Sequence, residues 1–384
     1  MQGGAGRMIQ WIVIGLAIVV APLVGAALAG LDPVRFLRFP PRPLEAAPGS
    51  FTPIIFAVYA VAIAAVLAPF VWRVLQYGRA DEPCFGSQPD DVRYPAWGWL
   101  GVMLLAVSWF IAWVPVTGLE EARRLSFTPL WVGYTIAISA WVARRGGYCM
   151  LTEAPMRFLG LFPASAGFWY LFEYLNQFTG NWIYAGTGVA EGEALNWFLR
   201  SALPFSTVLP AVLVTRDFLA TWPRLHAGLA GFAPLRPRRP RRAAGLAWAG
   251  GIVGLVAVAI WPTALYSLLW VAPPLVVMAT QALAGERHAF SAIAKGDWRG
   301  PWLAVLAALF CGLCWELWNV FSLARWTYHI PHAQVLHVFE MPLLGYAGYL
   351  PFGITCVVAA QLLTGHRPDP RLPESQGRNS EDRR

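Results

Sequence analysis

Two pairs of polar residues lie in otherwise apolar sequence, at a spacing that puts a carboxyl and an amide on one helical face. Glu173 and Asn176 form the first pair, and Glu316 and Asn319 form the second. Residues three apart are neighbours on a helix surface, so each pair predicts a compact polar site. Ionisable side chains inside a membrane are costly and usually functional. All four are therefore candidate catalytic residues, and hydrogen bonding that holds the bundle together is the alternative role.

More polar side chains surround the second pair than the first. Glu340 and His337 follow it along the chain and join the candidate catalytic residues. A carboxyl in a poor dielectric can keep its proton near neutral pH. Glu316 or Glu340 is therefore the predicted proton donor or acceptor, with Asn319 as its orienting partner. In the first half Arg200 occupies a nearby aligned position and could approach Glu340.

The same region contains the donor types of a metal site. His332, His337, Glu340 and Glu316 supply imidazole and carboxylate groups. Their spacing is not a recognised ligand motif, and the chain contains no HExxH, so we predict no metal site. The sequence also lacks a phosphate-binding GxxxxGK and a dinucleotide fingerprint, and it indicates no particular cofactor.

Aromatic residues accompany both polar pairs. A Trp-x-Tyr motif follows each pair, and other Trp and Tyr residues lie close by in the second half. Such side chains suit the walls of an apolar substrate cleft near the membrane interface. The predicted substrate-binding residues are Trp182, Tyr184, Trp315, Trp326, Tyr328 and Tyr346.

One stretch of the second half resembles a known family. Trp315-Glu316, then Trp326-x-Tyr328, then Glu340-Met-Pro342 is similar to the integral-membrane lycopene cyclase domain. The resemblance covers about residues 310–352 and, more weakly, 169–210. It implies a duplicated helical unit whose intramembrane acidic residues act on carotenoid ends by proton chemistry, and hence an isoprenoid or lipid substrate. The family's Pro-x-Glu-Glu motif is absent here, and the repeated unit is longer.

The composition predicts a membrane protein. Of the 384 residues, 57% are hydrophobic and 13% are charged, and the mean hydropathy is +0.50. Soluble domains carry about 25% charged residues. The net charge of +8 is interpreted as membrane topology and not as nucleic-acid binding. The expected partners are membrane lipids and a hydrophobic small molecule; no protein partner is indicated.

Ten segments are apolar and long enough to be predicted as spans of an all-α, polytopic transmembrane helix bundle. The segments are 9–30, 52–75, 96–116, 127–143, 157–178, 195–220, 244–261, 263–284, 301–323 and 335–363. The first could instead be a cleaved signal peptide, since Ala27-Leu28-Ala29 resembles a cleavage site. We favour a retained anchor because the apolar run is longer than a signal core.

The basic residues predict the orientation of these spans. Ten spans leave seven basic residues on one side: Arg35, Arg38, Arg42, Arg123, Arg124, Arg200 and Arg325. The other 22 of the 29 Lys and Arg residues (29 less those seven) lie on the side that holds both termini. The positive-inside rule places that side in the cytoplasm, so we predict a multi-pass protein of a bacterial inner membrane.

The chain also repeats itself at an offset near 140 residues. Residues 195–210 align with 336–351 without a gap, and the two polar pairs and two Trp-x-Tyr motifs correspond. We predict an internal duplication of two four-helix units in parallel orientation. The predicted segments are an N-terminal pair of helices (1–94), a first unit (95–220), a basic cytoplasmic linker (221–243), a second unit (244–363) and a disordered cytoplasmic tail (364–384).

Three functions remain open at the level of the sequence. The leading hypothesis is an intramembrane enzyme that uses buried carboxyls on a lipid or isoprenoid. The alternatives are a transporter with a site between the two repeats and a non-catalytic membrane scaffold. A cavity open sideways to lipid favours the enzyme, a midplane cavity favours the transporter, and the absence of a cavity favours the scaffold.

Overall fold

A computed structural model describes residues 4–41, 51–78, 93–147, 149–190 and 192–364, and these form a bundle of α-helices. The helices are α1 (Gly4–Leu28), α2 (Pro53–Tyr77), α3 (Ala96–Trp113), α4 (Glu120–Leu125), α5 (Phe127–Gly146), α6 (Met150–Glu153), α7 (Pro155–Thr179), α8 (Ala194–Ser206), α9 (Val208–Ala220), α10 (Pro240–Ile260), α11 (Pro262–Leu265), α12 (Leu268–Leu283), α13 (Arg299–Asn319) and α14 (Tyr349–Thr364). Four 3-10 turns lie at Pro33–Leu37, Pro223–His226, Ser291–Lys295 and Leu343–Gly348.

Seven helical segments of the described chain are long and apolar enough to cross a membrane. They are Gln10–Leu28, Pro53–Tyr77, Ala96–Trp113, Ala194–Ala220, Pro240–Ile260, Arg299–Asn319 and Leu343–Leu363. The protein is therefore a multi-pass membrane protein with a helical fold, as its composition predicts. The other three predicted spans coincide with α5, α7 and α12, which are helical but are shorter or less apolar. Ten crossings therefore remain a prediction.

The fold is mostly helical, as the all-α prediction requires, and four short strands lie in its connecting segments. Strands β1 (Trp182–Ala185) and β2 (Arg325–Tyr328) pair antiparallel, and so do β3 (His337–Val338) and β4 (Met341–Pro342). The last predicted span, 335–363, is therefore too long at its start. Pro342 disfavours helical backbone in the residue before it, and Leu336 and Phe339 adopt positive φ, so a hairpin replaces the first turns of the predicted helix.

The centre of the bundle is built from helices of both predicted units. α9 packs on α13, and α14 packs on α7, while α3 pairs with α5 and α10 pairs with α12. α1 covers α10 and α12. Gly353 of α14 lies so close to Ala304 of α13 that any side chain there would overlap the Ala304 carbonyl. This close approach fixes α14 against α13, and α13 and α14 carry the site described below.

Helix α2 stands apart from this packed centre. None of its residues is buried, and it contacts the other helical elements mainly at its two ends. At the first end the hydroxyl of Thr52 lies 3.0 Å from Nδ1 of His332. At the other end Arg73 donates a hydrogen bond of 3.1 Å to the carbonyl of Gly228. The helix is thus tethered at both ends.

The connecting segments meet in two separate sets. The first set surrounds β1 and β2, and we call that end of the bundle the ribbon end; there Arg124 bonds to Gly186 and Arg200 bonds to Glu121. The second set surrounds residues 221–243, and we call it the linker end; there Arg145 bonds to Thr221. If ten spans alternate in direction, each of these contacts joins two segments on the same side of the membrane.

The basic linker is packed against the bundle. The amide of Phe232 donates to the carbonyl of Gly296 at 2.8 Å, and the amide of Leu235 donates to Ile293 at 3.1 Å. The second predicted unit also starts earlier, because α10 begins at Pro240. Of the predicted tail, everything after Thr364 lies outside the described residues.

Candidate functional site

Glu316 lies in the last turn of α13 with no solvent exposure. Its Oε1 atom accepts hydrogen bonds from the phenol of Tyr328, at 2.7 Å, and from the phenol of Tyr349, at 2.9 Å. Its Oε2 atom is buried without a hydrogen-bond partner among the described residues. A buried oxygen without a hydrogen-bond partner costs free energy of folding, and the Glu316 carboxyl carries this cost.

Glu173 occupies the corresponding position near the end of α7 and has a fuller set of partners. Its Oε1 atom accepts from the phenol of Tyr184 at 2.6 Å and from the indoles of Trp169 and Trp182 at 2.9 and 3.0 Å. The two carboxyls thus share a tyrosine from a Trp-x-Tyr motif and differ in their other donors. Three donors to one oxygen make Glu173 a structural acceptor at the centre of its own cluster.

The two asparagines anchor the strands, and among the described residues neither is hydrogen-bonded to a carboxyl. The amide of Asn176 donates to the carbonyl of Trp182, and the amide of Asn319 donates to the carbonyl of Trp326, each at 2.8 Å. The same two side chains accept from the backbone amides of these tryptophans. Each asparagine therefore folds the chain after its helix back over the helix end. That reversal brings the tyrosine of each Trp-x-Tyr motif to the carboxyl of its own cluster.

The strands β1 and β2 pair in a self-complementary register. Trp182 is opposite Tyr328, and Tyr184 is opposite Trp326. The tryptophan of each motif thus faces the tyrosine of the other, as in a pair of strands related by a twofold axis. The ribbon joins the two polar clusters directly across the end of the bundle.

The two clusters differ at two pairs of aligned positions. Trp169 lies four residues before Glu173, and Gly312 lies four residues before Glu316. The ring of Tyr349 fills the space that Gly312 leaves and supplies the missing donor to the carboxyl. In the first half Val208 aligns with Tyr349 and carries no donor. Trp169, from the same helix as Glu173, completes the first cluster. Tyr349, from α14, completes the second.

A large cavity of about 690 Å³ lies beside both clusters. It is lined mainly by aromatic and aliphatic side chains, a lining typical of sites for apolar ligands. Five of the six predicted substrate-binding residues line it: Trp182, Tyr184, Trp315, Trp326 and Tyr328. The sixth, Tyr346, does not; it is buried and donates a hydrogen bond to the carbonyl of Val338. Tyr349 also lines the cavity, so both phenols that bond to Glu316 reach it.

The cavity is elongated and has α2 as one wall. It follows α13 from Trp315 to Trp302, which is about 20 Å at the rise of an α-helix. Tyr59 and Phe70 bound the lining contributed by α2. Phe70 stacks on Trp302 toward the linker end, with ring centroids 5.9 Å apart. The space therefore lies between the tethered helix and the packed centre of the bundle.

Glu340 lies close enough to Glu316 for its charge to act on that carboxyl, but among the described residues no hydrogen bond joins Glu340 or His337 to Glu316. The second hairpin carries His337, which is exposed and 3.0 Å from the amide oxygen of Gln334, and a half-buried Glu340. Arg200 pairs with Glu121 and not with Glu340. In the described ranges no group of three or more His, Cys, Asp or Glu residues is arranged to hold a metal ion.

The tyrosines of the ribbon remain protonated donors at neutral pH. Burial raises the pKa of the Tyr328 phenol well above its usual value, and the nearby Glu316 raises it further. The pKa of Tyr184 is raised in the same way by burial and by Glu173. Both hydroxyls can therefore pass a hydrogen bond or a proton between a carboxyl and the cavity.

Two partners of the carboxyls are absent from the sequence-based prediction. Trp169 has a signal, because it lies one helical turn before Glu173. The sequence indicates Tyr349 only indirectly, through the space that Gly312 leaves. That space points to Tyr349 only once α13 and α14 are known to pack together.

No protein-family model, curated protein or solved structure matches this chain.

Proposed function

We propose that the protein is an intramembrane enzyme that acts on a lipid or isoprenoid, with Glu316 as its acid–base group. One observation carries the proposal: a fully buried carboxyl bonds to two tyrosines, and both tyrosines line an apolar cavity. Apolar lining suits a hydrocarbon chain, and the two phenols connect the space for that hydrocarbon with the acid.

The arrangement suits proton transfer to or from a substrate. An ionised Glu316 can take the proton of Tyr328 or Tyr349, both of which donate to it, as that phenol takes a proton from the substrate. The reverse path returns a proton to the substrate. The carboxyl needs no direct contact with the substrate, and water is kept away by the aromatic lining.

The position of α2 favours the enzyme over the two alternatives. A scaffold needs no cavity of this size. A transporter generally holds its site near the bilayer midplane between repeats. Here the carboxyl and its phenols are at the ribbon end, and the wall formed by α2 faces sideways. A substrate could therefore enter from the lipid phase between α2 and the bundle.

The proposal also includes a membrane topology and an internal duplication. Ten crossings, both termini in the cytoplasm of a bacterium and the ribbon end at the outer surface agree with the arginine distribution and with the two sets of connecting segments. The self-complementary ribbon and the matching asparagine bonds support two parallel repeats. The resemblance to the lycopene cyclase domain favours the same class of substrate.

Lipid and pigment profiling of a deletion strain tests the proposal. We expect one lipid or isoprenoid to accumulate and its product to disappear, and the intact gene to restore both. Glu153, exposed on α6, provides a control, since E153Q should restore the profile fully. An unchanged profile in the deletion strain, with an altered distribution of a solute across the membrane, would favour the transporter and contradict the enzyme.

A further inference from the structure

The charged residues that line the cavity are all arginines. Among the described residues its lining contains Arg124, Arg200 and Arg325 and no Asp, Glu, Lys or His. The three belong to three different elements, α4, α8 and β2, which converge at the ribbon end. An apolar cavity whose charged lining has one sign concentrates ligands of the opposite sign.

The positive charge of this group exceeds that of its one ion-pair partner. Glu121 accepts from Arg124 at 3.1 Å and from Arg200 at 2.8 Å, so one carboxylate balances one of the three cations. Glu121 is more than half exposed, at 58% of its side chain, and lies outside the lining. Arg325 is exposed at the start of β2. Glu120 also lies close to Arg123 and Arg124, so the four arginines at the ribbon end exceed the two glutamates by two positive charges.

A buried amide adds a second, independent feature at this end of the cavity. Asn181 is 4% exposed and lines the cavity beside β1. Its side-chain oxygen has no hydrogen-bond partner among the described residues. Buried amides are normally satisfied, and because an amide oxygen only accepts, this one is available to a hydroxyl or N–H of a headgroup and not to an ionised phosphate oxygen. It lies at the end where the arginines converge, and the aromatic lining continues away from it.

We propose that the ribbon end of the cavity binds the phosphate of a phosphorylated lipid, whose apolar chain runs along α13 toward Trp302. This proposal rests on the proposed function and narrows its substrate class. Guanidinium groups match phosphate oxygens with paired hydrogen bonds. The predicted topology places these arginines at the level of the outer headgroups. The phosphate end of the chain then lies beside Tyr328 and Tyr349, so the reacting bond is close to the headgroup.

Lipid retention by the purified protein tests the proposal. The full chain is reconstituted with equal amounts of phosphatidic acid and diacylglycerol of identical chains, and the retained lipid is measured by native mass spectrometry. We expect phosphatidic acid to be retained preferentially. R325Q removes a cation that is not paired with Glu121 and should lower this retention roughly tenfold, as for the loss of one charge-assisted hydrogen bond. R38Q, an exposed arginine outside the lining, should leave it unchanged.

Several outcomes would overturn the proposal. Equal retention of the two lipids, or equal losses in R325Q and R38Q, would show that the arginines do not hold a headgroup. Displacement of phosphatidic acid by the same concentration of inorganic phosphate would mean that the site takes a free anion and not a lipid. E316Q separates this proposal from the enzymatic one: it should keep the lipid preference although turnover is lost. Turnover without a lipid preference would refute only the headgroup assignment.

Discussion

The ring of Tyr349 lies directly against the backbone of Gly312, in the space that a side chain at position 312 would occupy. From there its phenol donates a hydrogen bond of 2.9 Å to Glu316, one turn further along the same helix. In the first half the corresponding space is filled by the indole of Trp169, which donates to Glu173. Two aligned differences, glycine against tryptophan and tyrosine against valine, thus replace an indole donor from the same helix with a phenol donor from another helix.

This contact predicts that G312A displaces Tyr349 and separates it from Glu316. Overpacking of a well-filled site costs about 1–3 kcal/mol, so we expect a lower free energy of unfolding and a large loss of turnover. A structure of the variant measures the Tyr349–Glu316 distance. G167A is the matched control, because a methyl group at Gly167 of α7 meets nothing within 4 Å. Loss of turnover in both variants, or in neither, would contradict the role of Gly312.

Asn319 holds the strand that delivers Tyr328. N319A removes the acceptor of the Trp326 amide and the donor to its carbonyl, and each buried group left without a partner costs about 1–3 kcal/mol. Hydrogen exchange at residues 325–328 should therefore become faster. S322A, which loses only a bond to the carbonyl of Trp318 near the end of α13, should leave that exchange unchanged. Slow exchange in N319A would mean that the ribbon is held by other contacts.

The wall formed by α2 predicts an effect of filling the cavity. Ala62 lines the cavity, whereas Ala57 lies on the same helix, is also exposed and does not line it. A62W should raise the KM for a lipid substrate several-fold because the indole occupies volume that the chain requires. A57W should leave the KM unchanged. Equal KM values for the two variants would show that the chain does not lie beside α2.

Topology has a direct test. Reporter fusions at Arg239, in the linker, and at Gly188, beside the ribbon, should report opposite sides of the membrane, with Arg239 in the cytoplasm. The same side for both fusions would refute the alternating ten-span arrangement. It would also remove the outer-headgroup placement of the arginines.

The sequence predicts the chemistry-bearing residues better than it predicts their partners. Glu316, Asn319 and the Trp-x-Tyr motif are recognisable because polar groups are rare in apolar helices and because the pattern occurs twice. The bond from Tyr349 depends on how α14 packs against α13, which no local period encodes. The pairing of β1 with β2 joins segments that are distant in the chain, and four-residue strands leave little trace in composition.

At the second hairpin the sequence misplaces the start of the last predicted span. His337 and Glu340 lie in an apolar stretch, so hydropathy extends the last span across them and places both in the site. The structure begins the last apolar segment at Leu343 instead, since the backbone before Pro342 is not helical. Depth in the membrane and orientation toward Glu316 therefore could not be inferred from hydropathy alone.

Complementation of a deletion strain with E316Q tests the central claim most directly. The amide preserves the shape of the side chain and can still accept from Tyr328 and Tyr349, but it cannot exchange a proton with them. We expect the accumulated lipid of the deletion strain to persist although E316Q reaches normal levels of folded protein in the membrane. E173Q should restore most of the product. A normal lipid profile with E316Q, or a loss of folded protein equal to the loss of product, would contradict a proton-transfer role for Glu316.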